Sequence, residues 1–191
     1  GGAAESFAVD GNGTLWAWGD NLWGQLGDGG TEDHTRPVKV LENVRSVSAG
    51  EGHTYAVLED NTLWAWGRNV SNAFPGMDDL VNSPTPIKIM DDVASVSTGV
   101  VTHLAVKTDG TLWAWGKYIG NKTNKQVSTP QQIMDNVTAA CTGFGHSMAL
   151  KKDGSLWAWG QNNEGEIGDG SGRERVSPVK VMDNVACMSA G

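Results

Sequence analysis

Long apolar runs are missing from this chain of 191 residues. None approaches the roughly 20 residues that a membrane-crossing helix needs, so bilayer insertion is not expected. Cysteine is scarce: Cys141 and Cys187 are too few for a disulfide framework. Both fall where sister segments carry Ser or Ala, which reads as two small buried residues used as hydrophobes. Basic residues number 14 against 22 acidic ones, for a net charge of −8, and the densest basic group, Arg173 and Arg175, is split by Glu174. Nucleic-acid binding needs clustered Lys and Arg that displace counterions from phosphates, so DNA and RNA are not expected as partners. Catalytic signatures are missing too. There is no P-loop, dinucleotide fingerprint, GxSxG or HExxH. The acidic turns at 27–30 and 168–172 lack the alternating oxygen ligands of a calcium loop. No cofactor and no catalytic residue are expected.

What the chain does have is repetition. Leu-Trp-Ala-Trp-Gly occurs at 15–19, 63–67, 112–116 and 156–160, in steps of 48, 49 and 44 residues. A period in that range marks an array of small supersecondary units stacked into a solenoid or propeller. Such arrays act through the surface they display, which makes the partner, not the reaction, the question.

Each repeat reads as short strands rich in Val, Thr and aromatics, without a helical period. The second copy offers 37–40 (PVKV), 44–50 (VRSVSAG), 53–59 (HTYAVLE) and 62–67 (TLWAWG) as four strands. Before each Trp pair stands Asn12-Gly13, Asp60-Asn61, Asp109-Gly110 or Asp153-Gly154. These dipeptides tolerate positive φ at both centres of a two-residue hairpin loop. Along a strand, side chains alternate between faces, so Trp16 and Trp18 share one face, as do Trp64 and Trp66, Trp113 and Trp115, and Trp157 and Trp159. Eight rings at equivalent positions are expected to pack between blades, with sugar stacking the alternative. The small-residue segments SVSAG, SVSTG, AACTG and CMSAG suit the innermost strand of a blade crowded round an axis.

At this level the residues resemble the regulator of chromosome condensation repeat family. Residues 143–170 (GFGHSMALKKDGSLWAWGQNNEGEIGDG) follow its pattern nearly throughout, and 13–29 (GTLWAWGDNLWGQLGDG) match its second half. The resemblance implies an all-β fold: a β-propeller-type array of four four-stranded blades. The second and third copies lose the GQLGDG element, and no segment resembles the wedge through which the eponymous member acts on its GTPase. Exchange activity and chromatin binding are therefore not expected to carry over.

The chain ends at 185–191 (VACMSAG), aligned with 44–50, and begins with a segment aligned to 53–57. One repeat domain over 1–191 is expected, with its N- and C-terminal halves complementing one another. Four repeats can close alone, be completed by a second chain as a homodimer, or belong to a longer array; two chains are ranked first.

His53, His103 and His146 occupy equivalent positions, with Glu5 as the fourth. The expected role is structural hydrogen bonding. A metal-dependent enzyme on the propeller axis is the lesser alternative. The loops after the Trp pairs vary most and are the expected recognition surface, with Trp23, Phe74, Tyr118 and Asn162 as candidate contacts. The expected function is a non-catalytic protein-binding module, with a carbohydrate or cell-wall binder as alternative. The style of the repeats suggests an exported bacterial protein, extracellular or on the cell surface.

Overall fold

The computed structural model describes residues 4–70, 73–77 and 81–191, so part of the second loop lies outside the described residues. The first sheet holds β1 (Glu5–Val9), β2 (Leu15–Gly19) and β3 (His34–Leu41). The second holds β4 (Val44–Ala49), β5 (His53–Leu58), β6 (Leu63–Gly67) and β7 (Ser83–Met90). The third holds β8 (Val93–Thr98), β9 (Thr102–Lys107), β10 (Leu112–Gly116) and β11 (Val127–Met134). The fourth holds β12 (Val137–Thr142), β13 (His146–Lys151), β14 (Leu156–Gly160) and β15 (Arg175–Met182). Each is an antiparallel meander, and along the axis β8 touches both β4 and β12, as their small residues require.

Four details depart from the sequence reading. Segment 37–40 belongs to the preceding sheet, because β3 pairs with β2 with Ala17 opposite Val38. The loops before the Trp pairs hold three residues, not two. Leu58 accepts from Asn61 N at 3.0 Å while its own N donates to Thr62 O at 3.0 Å. Only Gly13, Asn61, Gly110 and Gly154 take positive φ, so each loop is a turn closed by one left-handed residue. Finally, the first sheet has three strands where four were expected. Among the described residues no ladder joins 185–191 to β1. That segment lies beside β12, where the Ala190 backbone meets the Cys141 thiol. The terminal halves thus do not share a sheet in this structure. Cys187 is exposed rather than buried, and both thiols are free.

The seams between sheets are built by one Trp of each pair. Trp66, Trp115 and Trp159 are fully buried, each against residues of the preceding sheet. Trp66 packs with Leu15, and Trp115 with Tyr55 and Phe74. Trp18, on the first sheet, stays half-buried. The other ring of each pair is held by a short relay. Asp60 accepts from the Thr62 hydroxyl at 2.6 Å, and that hydroxyl accepts from Trp64 Nε1 at 2.9 Å. The same relay recurs through Asp109, Thr111 and Trp113, and through Asp153, Ser155 and Trp157. Trp16 reaches Asp10 directly.

Backbone contact closes the seams at the axis. A Cβ on Gly50 would lie 2.7 Å from Gly99 O, one on Gly99 2.6 Å from Gly143 O, and one on Gly143 2.5 Å from Gly191 O. Glycine is needed there for close approach, since none of these residues has positive φ.

Candidate binding face

The turn after each inner strand and the loop after each Trp pair lie side by side. Asp20 N donates to Ala4 O at 3.0 Å, Arg68 N to Gly52 O at 2.8 Å, Lys117 N to Val101 O at 2.7 Å and Gln161 N to Gly145 O at 2.8 Å. One face of the array therefore carries both the variable loops and the mouth of the axial depression.

That depression has a volume of about 570 Å³ and is lined by Gly50, Gly99, Gly143, Thr98, Val100 and Phe144, among others. Phe144 is 71% exposed. An aromatic ring of this exposure at a concave mouth is an unused contact surface. Sequence reasoning missed it. The available signal was that Phe144 holds the turn position taken by Glu51 and Val100 in the sister repeats.

Of the four predicted contacts, two are exposed to any extent. Trp23 is 37% exposed and carries the Arg68 guanidinium 4.8 Å above its ring. Tyr118 is half-buried, with Lys117 Nζ 4.7 Å over the ring and its hydroxyl accepting from Gln161 Nε2 at 3.1 Å. Phe74 corrects the sequence reading. It is 1% exposed and packs on Tyr55, because it stands five residues after Asn69 as Leu26 follows Asn21 and Ile167 follows Asn162. Asn162 is a second correction: it is fully buried and braces its loop from within. Its Oδ1 accepts from Ile167 N at 3.0 Å, and its Nδ2 donates to Ser171 O at 2.6 Å and Arg173 O at 3.0 Å. Asn21 and Asn69 hold Leu26 N and Phe74 N in the same way.

The loop carbonyls complete the seams. Gln25 O accepts from Trp66 Nε1 at 2.8 Å and Ala73 O from Trp115 Nε1 at 3.0 Å. The shortened third loop supplies no counterpart, and Trp159 Nε1 is buried without a partner among the described residues.

The register corrects the equivalence of the three histidines: His53 and His146 stand opposite Gly67 and Gly160, whereas His103 stands one position on, opposite Trp115, and it shares a hydroxyl with His53. His53 Nε2 and His103 Nδ1 each lie 2.8 Å from Thr98 Oγ1, with ring centroids 5.0 Å apart. His146 is only partly buried. Among the described residues no three His, Cys, Asp or Glu side chains are grouped to hold a metal. Burial lowers the His53 pKa to about 4 and that of His103 well below its ordinary value. The unfolded chain takes up a proton at His53 near pH 6.5, which the folded chain refuses until about pH 4. Stability is therefore complete above pH 6.5 and falls as pH drops towards 4. We expect the loss in urea midpoint between pH 7 and 4.5 to shrink in His53→Gln.

These features define a class: an all-β array of propeller blades with a glycine-lined axis and one loop-bearing face. Two family models, both described as the Regulator of chromosome condensation (RCC1) repeat, match it, one over residues 12–57 and 153–191 and the other over 44–72 and 137–166. The chain belongs to the RCC1 repeat family. Among solved structures it is similar to human WBSCR16, with a TM-score of 0.85 at 22% identity over 95% of this chain and 52% of that one. It is also similar to Prp20p of Saccharomyces cerevisiae, with a TM-score of 0.80 at 23% identity over 95% of this chain and 49% of that one. A second yeast Prp20 structure, bound to Kap60, gives a TM-score of 0.80 at 22% identity over 95% of this chain and 47% of that one. The chain thus spans about half the length of these structures. A search of curated proteins finds none that matches.

Proposed function

We propose that this chain is a non-catalytic protein-binding module whose recognition surface is the loop-bearing face, centred on Phe144. The observation that carries the reading is the 71% exposure of Phe144 at the mouth of the axial depression. Trp23 and Tyr118 stand on the same face, and Tyr118 reaches the Phe144 turn through Gln161, whose side chain abuts Gly145. Exposed aromatic anchors beside a concavity suit the docking of a protein segment. Similarity to Prp20p, described with binding properties to Gsp1p and histones, supports protein binding in general. With a net charge of −8, a partner with basic surface is favoured electrostatically.

The test is selection of peptides from a displayed library, followed by titration against Phe144→Ser. Selected peptides are expected to lose about tenfold or more in affinity while the melting temperature stays within about a degree. Equal binding by the variant would refute the reading. A glycan array run beside it separates protein from carbohydrate recognition.

A further inference from the structure

Away from the axis, a second and smaller cleft of about 180 Å³ opens between the first and second sheets. Its lining includes Glu5, Asp20, Trp23, Glu51 and Arg68. Three carboxylates face one guanidinium, so two negative charges are left unmatched. Glu5 is only 5% exposed, and its Oε1 is buried with no hydrogen-bond partner among the described residues. Its other oxygen accepts from Ala4 N at 3.2 Å. An unpaired buried carboxylate oxygen is costly, and protein structures rarely leave one without a reason.

The repeat shows how this arises. In the second sheet the same position is His53, whose ring bonds Thr98 Oγ1 on the inner strand of the next sheet. For Glu5 the equivalent of Thr98 is Ala49, which has no hydroxyl. Both partners of the seam contact have changed together, from imidazole and hydroxyl to carboxylate and methyl. The change removes a donor and leaves an acceptor without a partner among the described residues, on a residue that lines the cleft.

We propose that this cleft is a binding site for a primary alkylammonium group. An ammonium is compact and carries three donors, and it does not need the carboxylates of Glu5, Asp20 and Glu51 to converge on one point. A guanidinium suits the site less well, because Arg68 already occupies the face of Trp23. A metal ion suits it less well too, since these carboxylates do not form a group that could hold one. Burial, reinforced by the charge of Asp20, pushes the Glu5 pKa up, as expected of a carboxylate still lacking its counter-charge. The site adjoins the proposed recognition face, sharing Trp23 with it and Glu51 with the axial depression, but its binding is tested at Glu5, which lies outside that face.

The experiment is calorimetric titration of the full chain at pH 7 and low salt. The probes are n-butylammonium, n-butanol as neutral control, and acetyl-Gly-Lys-Gly-amide. Saturable millimolar binding of the ammonium, weakened about tenfold or more in Glu5→Gln, is expected. Glu32→Gln, at an exposed carboxylate outside the cleft, should leave binding unchanged. Thermal melting checks the fold of Glu5→Gln, and Glu51→Gln supplies a second cleft variant with an exposed side chain. Tighter binding of the peptide than of the amine assigns the site to a lysine of a protein partner; the reverse order assigns it to a small free amine. Binding no stronger than that of n-butanol, or undiminished in Glu5→Gln, overturns the proposal.

Discussion

Trp115→Ala is expected to remove about 3–5 kcal/mol of stability. The ring is fully buried in the seam between the second and third sheets. Its removal leaves a void against Tyr55 and Phe74 that the two sheets cannot close without sliding past one another. It also strips a donor from Ala73 O, which accepts from Trp115 Nε1 at 3.0 Å. Trp113, two residues earlier, is half-buried and gives the internal comparison. Trp113→Ala should cost clearly less, because its face remains open to water and its relay ends at the surface residue Asp109. Urea unfolding of the two variants, followed by circular dichroism, checks the order. Equal losses would mean that the seams do not depend on the inner rings.

Gly99→Ala is expected to be the second large effect, about 1–3 kcal/mol or more from the addition of one methyl group. Its Cβ would lie 2.6 Å from Gly143 O and 3.1 Å from Thr142 Oγ1. The first of these is backbone of the next sheet, so relief requires the inner strands to part. Gly99 does not have positive φ, so the cost is contact and not backbone strain. Gly11→Ala is the control: nothing lies within 4 Å of its Cβ and its φ is ordinary. There the substitution should be neutral or slightly stabilising, because alanine loses less entropy on folding. Chemical denaturation of both variants decides it, and a Gly99→Ala protein as stable as Gly11→Ala would refute the close approach of the inner strands.

Much of this architecture was legible in the chain because its signals are periodic. The alternation in Leu-Trp-Ala-Trp-Gly put both rings of a copy on one face, and the small residues of 44–50 marked the inner strand. Which ring of each pair would be buried was not legible. Both are tryptophans on the same face, and only the approach of the neighbouring sheet separates Trp115 from Trp113. The binding face was harder. Phe74 looked like a loop aromatic because the second loop had lost its GQLGDG spelling, although its spacing from Asn69 matches that of Leu26 from Asn21. Asn162 looked polar and therefore available, whereas a buried amide that satisfies a loop's backbone is polar for the opposite reason. Phe144 and the Glu5 cleft depend on what the sister repeats place opposite them, a relation between distant positions that no local pattern announces.

The loops and the seams answer to different constraints. Ring, glycine and hairpin relay define how one sheet sits on the next, while residues 117–126 and 161–174 differ in length without disturbing that arrangement. The shorter of these leaves Trp159 Nε1 without an acceptor among the described residues, yet the ring stays fully buried. Inheritance in such a chain is modular at two scales. Whole repeats can be duplicated because every junction buries the same tryptophan position, and single loops can drift towards new partners because that burial survives changes in the polar contacts around it.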